Sequence, residues 1–381
     1  MDELRAALEK LGHSVVLVGP ARTTRLEFGG DAGAVALLKR LLPRALYEML
    51  EIGYNFVALP RLWLAIRRHR PDAIYERYNL FLLAGALLCR LHGVPLLLEV
   101  NAPICEERGR LDGLGMPRLA AWAERLVWRA ADFTLPVTDV LAGYLRRAGV
   151  AEQRIAVIPN GIDPEKFSDM PDPVAARRRL GLDGRLVLGF TGFVRQWNSL
   201  DRVVDVLAEI GSAQNLHLLL VGDGPAAPAL RRRAAERGVS DRLTITGIVA
   251  RQNVAAHIAA FDIALQPGVT PYASPLKLLE YMAAGVAILA PDQSNIREIL
   301  TDRNDALLVD PDRPEELSSA ITELCSDTAL RQQLGAAARD TIHRRRLTWR
   351  NNAEIVSLLI ERNLDERQRL GRGRPAVTTE S

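Results

Sequence analysis

The feature that most constrains the fold is a regular alternation of apolar runs with helical patterns, clearest in the second half of the chain. Apolar runs at Leu186–Thr191, Leu216–Val221 and Leu243–Thr246 are each closed by a glycine, and a helical pattern follows each of them. Strands that alternate with helices predict a parallel sheet with crossover helices. Glycines at the carboxyl ends of successive strands are typical of the ligand-binding edge of such sheets.

The first half has the same pattern in a less regular form. We predict strands at Ser14–Val18, Ala73–Tyr75, Pro95–Val100, Phe133–Val137 and Ile155–Ile158. Because 381 residues exceed the size at which a single core usually stops growing, two domains are expected. The fold class is therefore α/β with two doubly wound domains, at residues 1–160 and 161–347. A helix over 348–365 and a disordered tail over 366–381 would follow.

Composition excludes several classes of protein. The net charge is only +3, and arginines are interspersed with acidic residues, so we expect no nucleic-acid partner. The three cysteines, Cys89, Cys105 and Cys325, lie far apart and indicate free thiols in a reducing compartment. The start of the chain does not resemble a secretory signal, and no apolar run reaches the ~20 residues of a membrane span. A cytoplasmic enzyme is expected.

The segment SPLKLLEYMAAG, residues 274–285, carries the strongest local signal. Ser274 is a good N-cap, and Pro275 suits the first helical position, so a helix is predicted to start there. Its free amides and positive dipole end would form a phosphate site. Glu280, one and a half turns further on, offers a carboxylate suited to a pair of sugar hydroxyls. An ordinary amphipathic helix whose leucines face a core explains the same pattern equally well.

Five motifs in order resemble one enzyme family. They are IPNGIDPEKF (158–167), GFTGFVRQWNSLDRVV (189–204), LLLVGDGP (218–225), ITGIV (245–249) and SPLKLLEYMAAG (274–285). Together they look like the retaining nucleotide-sugar glycosyltransferases of family 4. The resemblance implies the GT-B fold: two Rossmann-like domains whose parallel sheets face a cleft, and a C-terminal helix that crosses back to the N-terminal domain.

The resemblance assigns a donor site to the 274–285 segment. Glu280 matches the second glutamate of the family's Glu-x7-Glu motif, which holds the ribose hydroxyls. The first glutamate falls at Tyr272, so this chain lacks the glutamate that usually contacts the donor sugar. The backbone amides of Ser274, Leu276 and Lys277 would meet the diphosphate.

The loop that begins at Gly192 departs from the family pattern. The family usually has an arginine directly after this glycine and a lysine a few residues on; here those places hold Phe193 and Asn198. Arg195 is the cation that remains in the loop, and a planar guanidinium suits phosphate oxygens, although a solvated loop arginine is the alternative. The remaining donor-site candidates are Gly222 and Ile248.

The acceptor side is less typical of the family. The family often has a histidine after the strand that corresponds to Pro95–Val100, and Asn101 stands there in this chain. Asparagine can position a hydroxyl but cannot transfer a proton. Further acceptor candidates are Glu76, Arg77, Glu99 and Glu106, each of which is equally explained as a solvated loop charge.

No metal and no cofactor are expected, and the donor, a UDP- or GDP-sugar, is a substrate. The six histidines lack metal-ligand spacing. The triplet Asp310-Pro311-Asp312 imitates the metal motif of the other glycosyltransferase fold. Because it lies between a predicted strand and a helix, we interpret Asp312 as a helix N-cap.

The N-terminus is a further departure. Family members begin with a central strand and a glycine-rich loop before the helix that here starts at Asp2. A sheet without a central strand leaves backbone groups unpaired. We therefore expect the true start to lie upstream, with a trimmed variant as the alternative.

The predicted activity is transfer of a sugar to a hydroxyl with retention, in synthesis of a cell-envelope polysaccharide or glycolipid. Arg195, Glu280 and Asn101 are the predicted catalytic residues, acting mainly by electrostatics and positioning. The Leu- and Arg-rich region Val35–Arg70 fits a peripheral membrane contact, and equally a helix pair with solvated charges. Two alternatives stay open: a GT-B-fold sugar-nucleotide epimerase, and a degenerate, non-catalytic glycosyltransferase-like binding protein.

Overall fold

The computed structural model describes residues 2–19, 41–111, 113–210 and 215–369. The chain divides into two compact units. Unit 1 comprises Met1–Pro159 and Asn352–Ser381, and unit 2 comprises Asn160–Asn351. The final helix, Trp349–Arg369, therefore starts at the end of unit 2 and continues as part of unit 1.

Unit 1 contains a parallel sheet whose described strands have the order β1-β2-β3. They are β1 (Ile74–Arg77), β2 (Leu96–Val100) and β3 (Phe133–Pro136). Its helices are Asp2–Lys10, Arg44–Gly53, Asn55–His69, Ala84–His92, Ile104–Leu111, Pro117–Ala130 and Asp139–Arg147. The register places Arg77 beside Glu99, so two charged side chains meet where β1 and β2 end.

Unit 2 contains a six-stranded parallel sheet with the order β6-β5-β4-β7-β8-β9. Its strands are β4 (Leu186–Thr191), β5 (Leu216–Val221), β6 (Leu243–Ile245), β7 (Ile263–Leu265), β8 (Ala287–Pro291) and β9 (Leu307–Val309). The chain winds outward from β4 in one direction and from β7 in the other. The strand order therefore reverses between β4 and β7, and ligands bind at the carboxyl ends of such a pair.

Helices cover both faces of this sheet. They are Pro173–Arg179, Leu200–Ile210, Ala227–Glu236, Val254–Ile258, Leu276–Ala284, Ser294–Arg297, Pro314–Ser326 and Thr328–Arg344. Side chains alternate along each strand, so Leu218 and Leu220 pack in one core cluster and Leu219 and Val221 in the other. Burial on both faces explains why these strands are continuous apolar runs.

Two predicted strands of the first half are wrong. Residues Ser14–Val18 have no regular structure, and Val16, Leu17 and Val18 are about half exposed, because no described strand lies beside them to pair. Ile155–Ile158 runs beside β3, where the N–H groups of Ala156 and Ile158 donate to the carbonyls of Thr134 and Pro136, but it forms only one isolated parallel bridge, from Ile155 to Thr134. Apolar composition favoured a strand in both cases. Ser14–Val18 has no described strand beside it, and Ile155–Ile158 pairs with β3 without forming a regular strand.

The helical predictions also need adjustment. The part of Val35–Arg70 before residue 41 lies outside the described residues, and the rest is two helices that separate at Tyr54. The last helix continues to Arg369, so residues 366–369 are helical, and 370–381 lie outside the described residues. Within the described residues, no helix combines the length and the apolar character needed to cross a bilayer.

Candidate functional site

Two loops meet at the point in unit 2 where the strand order reverses. One runs over residues 192–199 after β4, and the other over 266–275 after β7. A Cβ on Gly268 would lie 2.4 Å from the carbonyl oxygen of Trp197, so the two backbones touch there. The loops that carry most of the predicted donor residues therefore pack against each other at the ligand-binding edge of the sheet.

Glycines allow this edge to close tightly. The Gly192 N–H donates to the Val221 carbonyl over 2.9 Å, and Gly192 has a φ of 111°. A Cβ on Gly222 would lie 2.1 Å from the Gly192 carbonyl oxygen. Gly222, predicted as a donor-binding residue, thus has a packing role, since only glycine lets the two backbones approach so closely.

The helix Leu276–Ala284 begins later than predicted, so the assignment of Ser274 as N-cap and Pro275 as first helical residue is wrong. Pro275 occupies the N-cap position, and no side chain caps the helix. The Ser274 hydroxyl instead accepts from the Asn160 N–H (3.2 Å), and the Asn160 amide donates to the Ser274 carbonyl (2.7 Å). Because no side chain caps the first turn, its amides stay available to an anion.

Lys277 projects from the first turn of this helix towards the Gly192 loop. Its Nζ lies 3.6 Å from the centre of the Phe190 ring and 3.5 Å from the place of a Cβ on Gly192. Desolvation lowers the pKa of Lys277 to about 7, and the Glu280 carboxylate opposes that shift. In the described part of the chain Nζ has no hydrogen bond or ion pair. Its positive charge is stabilised only by the face of the Phe190 ring and by the charge of Glu280.

Glu280 lies on the same helix, half-buried. Desolvation raises the pKa of its carboxyl, while Arg251 and Lys277 act in the opposite direction. Among the residues that the structure describes, the carboxylate makes no hydrogen bond and no close ion pair. An acceptor held in this way is suited to hydroxyl donors from a ligand.

Tyr281 fixes this helix to the end of β4. Its hydroxyl accepts a hydrogen bond of 2.8 Å from the Thr191 N–H, and burial raises the pKa of the phenol. The bond positions the Lys277 turn against the Gly192 loop. Our sequence analysis missed Tyr281 and Asn160; a tyrosine within a core-facing helix, whose hydroxyl needs a partner, is the available signal for the first.

The loop after Gly192 holds its one arginine between aromatic rings. The Arg195 guanidinium carbon lies 4.4 Å from the Phe193 ring centre and 5.2 Å from that of Trp197. Asn198 is buried, and its side-chain oxygen accepts from the Arg195 N–H over 2.8 Å. Asn198, predicted to bind donor, is therefore engaged in shaping the loop, whereas Arg195 is held in a stack.

The remaining donor candidates differ in accessibility. Tyr272 is buried, whereas Ile248 and Leu276 are exposed. Asn295, fully buried, donates to the carbonyls of Thr270 (3.1 Å) and Ala273 (2.7 Å) and so fixes the loop that contains Tyr272. Asn295 lies in a separate helix, and nothing in the sequence pattern pointed to it.

In unit 1, four polar side chains gather where β1 and β2 end. Glu99 accepts from the Tyr75 hydroxyl (2.7 Å) and from the Asn101 amide nitrogen, and Arg77 forms an ion pair with it at 3.7 Å. Burial and the Glu99 charge raise the pKa of Tyr75. The structure thus brings together the predicted residues Arg77, Glu99 and Asn101 and adds Tyr75, which our sequence analysis missed.

Two other acceptor candidates lie apart from this cluster. Glu76 follows Tyr75 on the strand and faces Gly85. A Cβ on Gly85 would collide with the Glu76 carboxylate. Burial raises the pKa of Glu76 to about 7. Glu106 forms an ion pair with Arg110 at 2.7 Å and accepts from the Tyr144 hydroxyl at 3.3 Å. Since strand side chains alternate, Glu76 cannot join the Glu99 cluster.

The acidic triplet has a different role from the predicted one. The helix Pro314–Ser326 has Arg313 at its N-cap, so the assignment of Asp312 as cap is wrong. Asp310 accepts from the Asp312 N–H at 2.9 Å, and Glu316 accepts from the Asp310 N–H at 2.9 Å, which forms a compact turn. Across the described ranges, no group of three His, Cys, Asp or Glu side chains is arranged to hold a metal ion.

Comparisons with known proteins place both units in one family. The model of Glycosyltransferase Family 4 matches residues 1–166, and that of Glycosyl transferases group 1 matches residues 185–327. The 2-deoxystreptamine glucosyltransferase of Streptomyces kanamyceticus is 27% identical over 85% of this chain and 88% of its own length. The GDP-mannose-dependent alpha-(1-6)-phosphatidylinositol monomannoside mannosyltransferase of Mycobacterium tuberculosis is 26% identical over 75% of this chain and 76% of its own length.

Solved structures agree on the fold. Anabaena HepE in complex with UDP superposes with a TM-score of 0.70 at 19% identity, covering 88% of this chain and 98% of HepE. WaaG, a glycosyltransferase involved in lipopolysaccharide biosynthesis, gives a TM-score of 0.67 at 17% identity, with 92% and 93% covered. The chain belongs to the family-4 glycosyltransferases with the GT-B fold.

Proposed function

We propose that this glycosyltransferase moves a sugar from a UDP- or GDP-sugar to a hydroxyl of a glycan or glycolipid, with retention at the anomeric carbon. The observation that carries the proposal is the pair Lys277 and Glu280, two charged groups that lack hydrogen-bond partners in the described chain, on the helix at the switch point of unit 2. Desolvating such groups costs free energy, so they are expected where a ligand of complementary chemistry binds.

The Lys277 ammonium is the proposed counter-charge of the donor diphosphate. The family's loop lysine is absent here, and Nζ of Lys277 approaches the same Gly192 loop from a different element. The uncapped amides of Leu276 and Lys277 would donate to phosphate oxygens, and Arg195 would add a planar donor fork. Glu280 would accept from both ribose hydroxyls, and the backbone of Ile248, an exposed residue, would meet the base.

The proposed reaction needs no protein nucleophile. The bond between the anomeric carbon and the diphosphate oxygen breaks as the acceptor oxygen bonds to the same face of that carbon. The acceptor proton passes to the departing diphosphate oxygen. Negative charge develops on the leaving diphosphate, and the groups proposed to stabilise it are Lys277, Arg195 and the helix amides.

Unit 1 is proposed to position the acceptor. The Asn101 amide nitrogen is engaged by Glu99, and this bond orients the amide oxygen, which is suited to accept from a sugar hydroxyl. Arg77 and Tyr75 would hold Glu99 in place, so the cluster acts as a preformed polar patch. This role supports Asn101 as a positioning residue, because an amide cannot take up a proton.

A cell-envelope acceptor is the favoured class. The M. tuberculosis relative is named for a phosphatidylinositol monomannoside, and WaaG is described in lipopolysaccharide biosynthesis. We infer a cytoplasmic protein that contacts the membrane peripherally, where lipid-linked acceptors are exposed. The S. kanamyceticus relative is named for 2-deoxystreptamine, so a soluble aminocyclitol is the comparison acceptor for any assay.

The test is product analysis with the whole chain. UDP-glucose and GDP-mannose are each incubated with a membrane lipid extract or with 2-deoxystreptamine, and the product is examined by NMR. The proposal predicts an acceptor-dependent product whose anomeric configuration, read from the one-bond coupling between C1 and H1, matches that of the donor. An inverted product would contradict retention, and conversion of the donor without acceptor would favour an epimerase.

A further inference from the structure

The helix that carries Lys277 has an alternative start encoded in its own sequence. Ser274 followed by Pro275 is a common N-terminal signal, yet the helix begins at Leu276 with Pro275 at the N-cap position. If Ser274 were the N-cap, its hydroxyl would accept from the amide of Leu276 or Lys277, the second and third helical residues. These amides are the ones proposed to meet the diphosphate, so a serine cap and the nucleotide would compete for them.

Asn160 holds Ser274 out of the capping position. Its side-chain amide donates to the Ser274 carbonyl over 2.7 Å, and its backbone N–H donates to the Ser274 hydroxyl over 3.2 Å. In a helix capped by Ser274, that carbonyl would accept from the Leu278 N–H, which here donates to the Pro275 carbonyl over 3.1 Å. One asparagine therefore occupies both groups that an N-cap residue contributes to its helix.

Asn160 lies on a segment that is itself fixed. The Ile162 N–H donates to the Leu347 carbonyl (3.1 Å), and the Ile162 carbonyl accepts from the Trp349 N–H (3.2 Å). A Cβ on Gly161 would lie 2.5 Å from the Trp349 nitrogen, so backbone packs directly against backbone at this residue. These contacts lie within unit 2, which begins at Asn160. The two bonds from Asn160 to Ser274 therefore have a rigid support.

We propose that Asn160 is a positioning residue for nucleotide binding: it keeps Ser274 from capping the helix, so that the amides of Leu276 and Lys277 stay free for the diphosphate. Among the described residues neither amide has a hydrogen-bond acceptor. Asn160 acts through Ser274 and does not touch the ligand. The inference rests on the proposed nucleotide site, and it explains why a helix with a strong capping signal has an open end.

The test is isothermal titration of the whole chain with UDP and GDP. In Asn160→Ala the Ser274 peptide is free to join the helix, and a serine cap is favoured about fivefold over an open end, so nucleotide affinity should fall about fivefold. Asn160→Ala with Ser274→Ala has no capping hydroxyl, so its affinity should return to within about twofold of the wild type. Recovery on removal of a second polar group distinguishes competition from simple damage to the site.

The matched control is Asn352→Ala. The buried Asn352 amide donates over 2.7 Å to the carbonyl of Pro159, the residue before Asn160. The variant thus removes a bond of the same kind and length without affecting a group of Ser274, and its nucleotide affinity should stay within about twofold of the wild type. A loss equal to that of Asn160→Ala would show that any disturbance of this segment weakens binding, and it would overturn the proposal.

Amide hydrogen exchange of the nucleotide-free protein gives a second readout. In the wild type the amides of Leu276 and Lys277 should exchange without protection, and in Asn160→Ala one of them should become protected, because the Ser274 hydroxyl then accepts from it. Loss of a bond with a merely structural role would not slow exchange.

Three further results would overturn the proposal. They are protection of both amides in the free wild type, wild-type nucleotide affinity in Asn160→Ala, and no recovery when Ser274→Ala is added. The first needs no variant, so the proposal stays testable even if Asn160→Ala does not fold. If the wild type binds neither UDP nor GDP, the proposed function fails, and hydrogen exchange still decides whether Asn160 keeps the helix end open.

Discussion

The polar groups at the strand ends of the two units are arranged in opposite ways. In unit 1, Glu99 has three partners within the protein, namely Tyr75, Arg77 and Asn101. In unit 2, Lys277 and Glu280 have none by hydrogen bond among the described residues, although desolvation shifts the pKa of both towards the neutral form. Among the described residues, the charge at the strand ends of unit 1 is therefore paired within the protein, whereas the charges at the strand ends of unit 2 are not.

This difference indicates what each edge is built to bind. An internally paired cluster offers directed single hydrogen bonds to a neutral ligand such as a sugar, without a charge to neutralise. A desolvated cation beside an uncapped helix N-terminus gains most from a ligand that brings negative charge. The contrast therefore supports an acceptor role for unit 1 and a diphosphate role for unit 2.

The largest expected effect is at Glu280. Glu280→Ala removes a charged acceptor for two ribose hydroxyls, and each such bond is worth about 1.5–3 kcal/mol, so nucleotide affinity should fall at least ~100-fold. Isothermal titration with UDP and GDP measures this. Glu209→Ala, at an exposed helix position in the same unit, is the control and should bind as the wild type does. If Glu280→Ala and Glu209→Ala bind the nucleotide with equal affinity, the assignment of Glu280 to the donor site is wrong.

Lys277 should make donor binding depend on pH. Its pKa of about 7 in the free protein must rise when a diphosphate binds, so affinity should be highest below neutral pH and fall up to tenfold per pH unit above it. Intact sugar nucleotides are the suitable ligands, because their diphosphate does not titrate in this range. Lys277→Gln should bind more weakly below neutral pH and show a flat profile; a wild-type profile in the variant would contradict the role.

Asn101→Ala should separate the two units functionally. Loss of one neutral hydrogen bond to the acceptor predicts a fall in kcat/KM for the acceptor of about fivefold to tenfold. Nucleotide affinity should not change, because Asn101 contacts Glu99 in unit 1. A change in nucleotide affinity of the same size as the change in kcat/KM would break the division of roles.

The smallest expected effect concerns stability. Burial raises the pKa of Glu76 and of Glu124, both in unit 1, to about 7, so the folded state binds more protons than the unfolded state from about pH 4.3 to 7. The contribution of these two carboxyls to the free energy of unfolding should therefore decrease as pH rises through this window, while His217, whose pKa burial lowers to about 4, acts in the opposite direction. Glu76→Gln should remove about half of that contribution, because Glu124 remains. Urea unfolding of the variant and the wild type at several pH values measures the difference between their slopes, and equal slopes would show that this is wrong.

The sheet of unit 2 was largely predictable from the sequence, whereas the details of its site were not. Strands buried on both faces, such as β4 and β5, are continuous apolar runs that end at glycine, so local composition located them well. The start of the helix Leu276–Ala284 was misplaced because the Ser274 hydroxyl is taken by Asn160, a residue 114 positions away. Such long-range competition leaves no local signal.

The role of the Lys277 side chain was also beyond local pattern. The sequence indicated only its backbone amide at a helix start, and the approach of Nζ to Gly192 depends on the anchoring of Tyr281 to Thr191. In unit 1 the converse error occurred: Ser14–Val18 has strand composition without a described neighbour to pair with. The position of the Lys277 side chain and the absence of a strand at Ser14–Val18 thus both depend on whether residues distant in sequence lie alongside.

The most direct test of the central claim is a crystal structure of the chain with UDP or GDP bound. The account predicts diphosphate oxygens about 2.7–3.2 Å from Nζ of Lys277 and from the first free amides of its helix, with both ribose hydroxyls on Glu280. A diphosphate bound away from Lys277, with its Nζ still facing only the Phe190 ring, would contradict the claim that these unpartnered charges form the donor site.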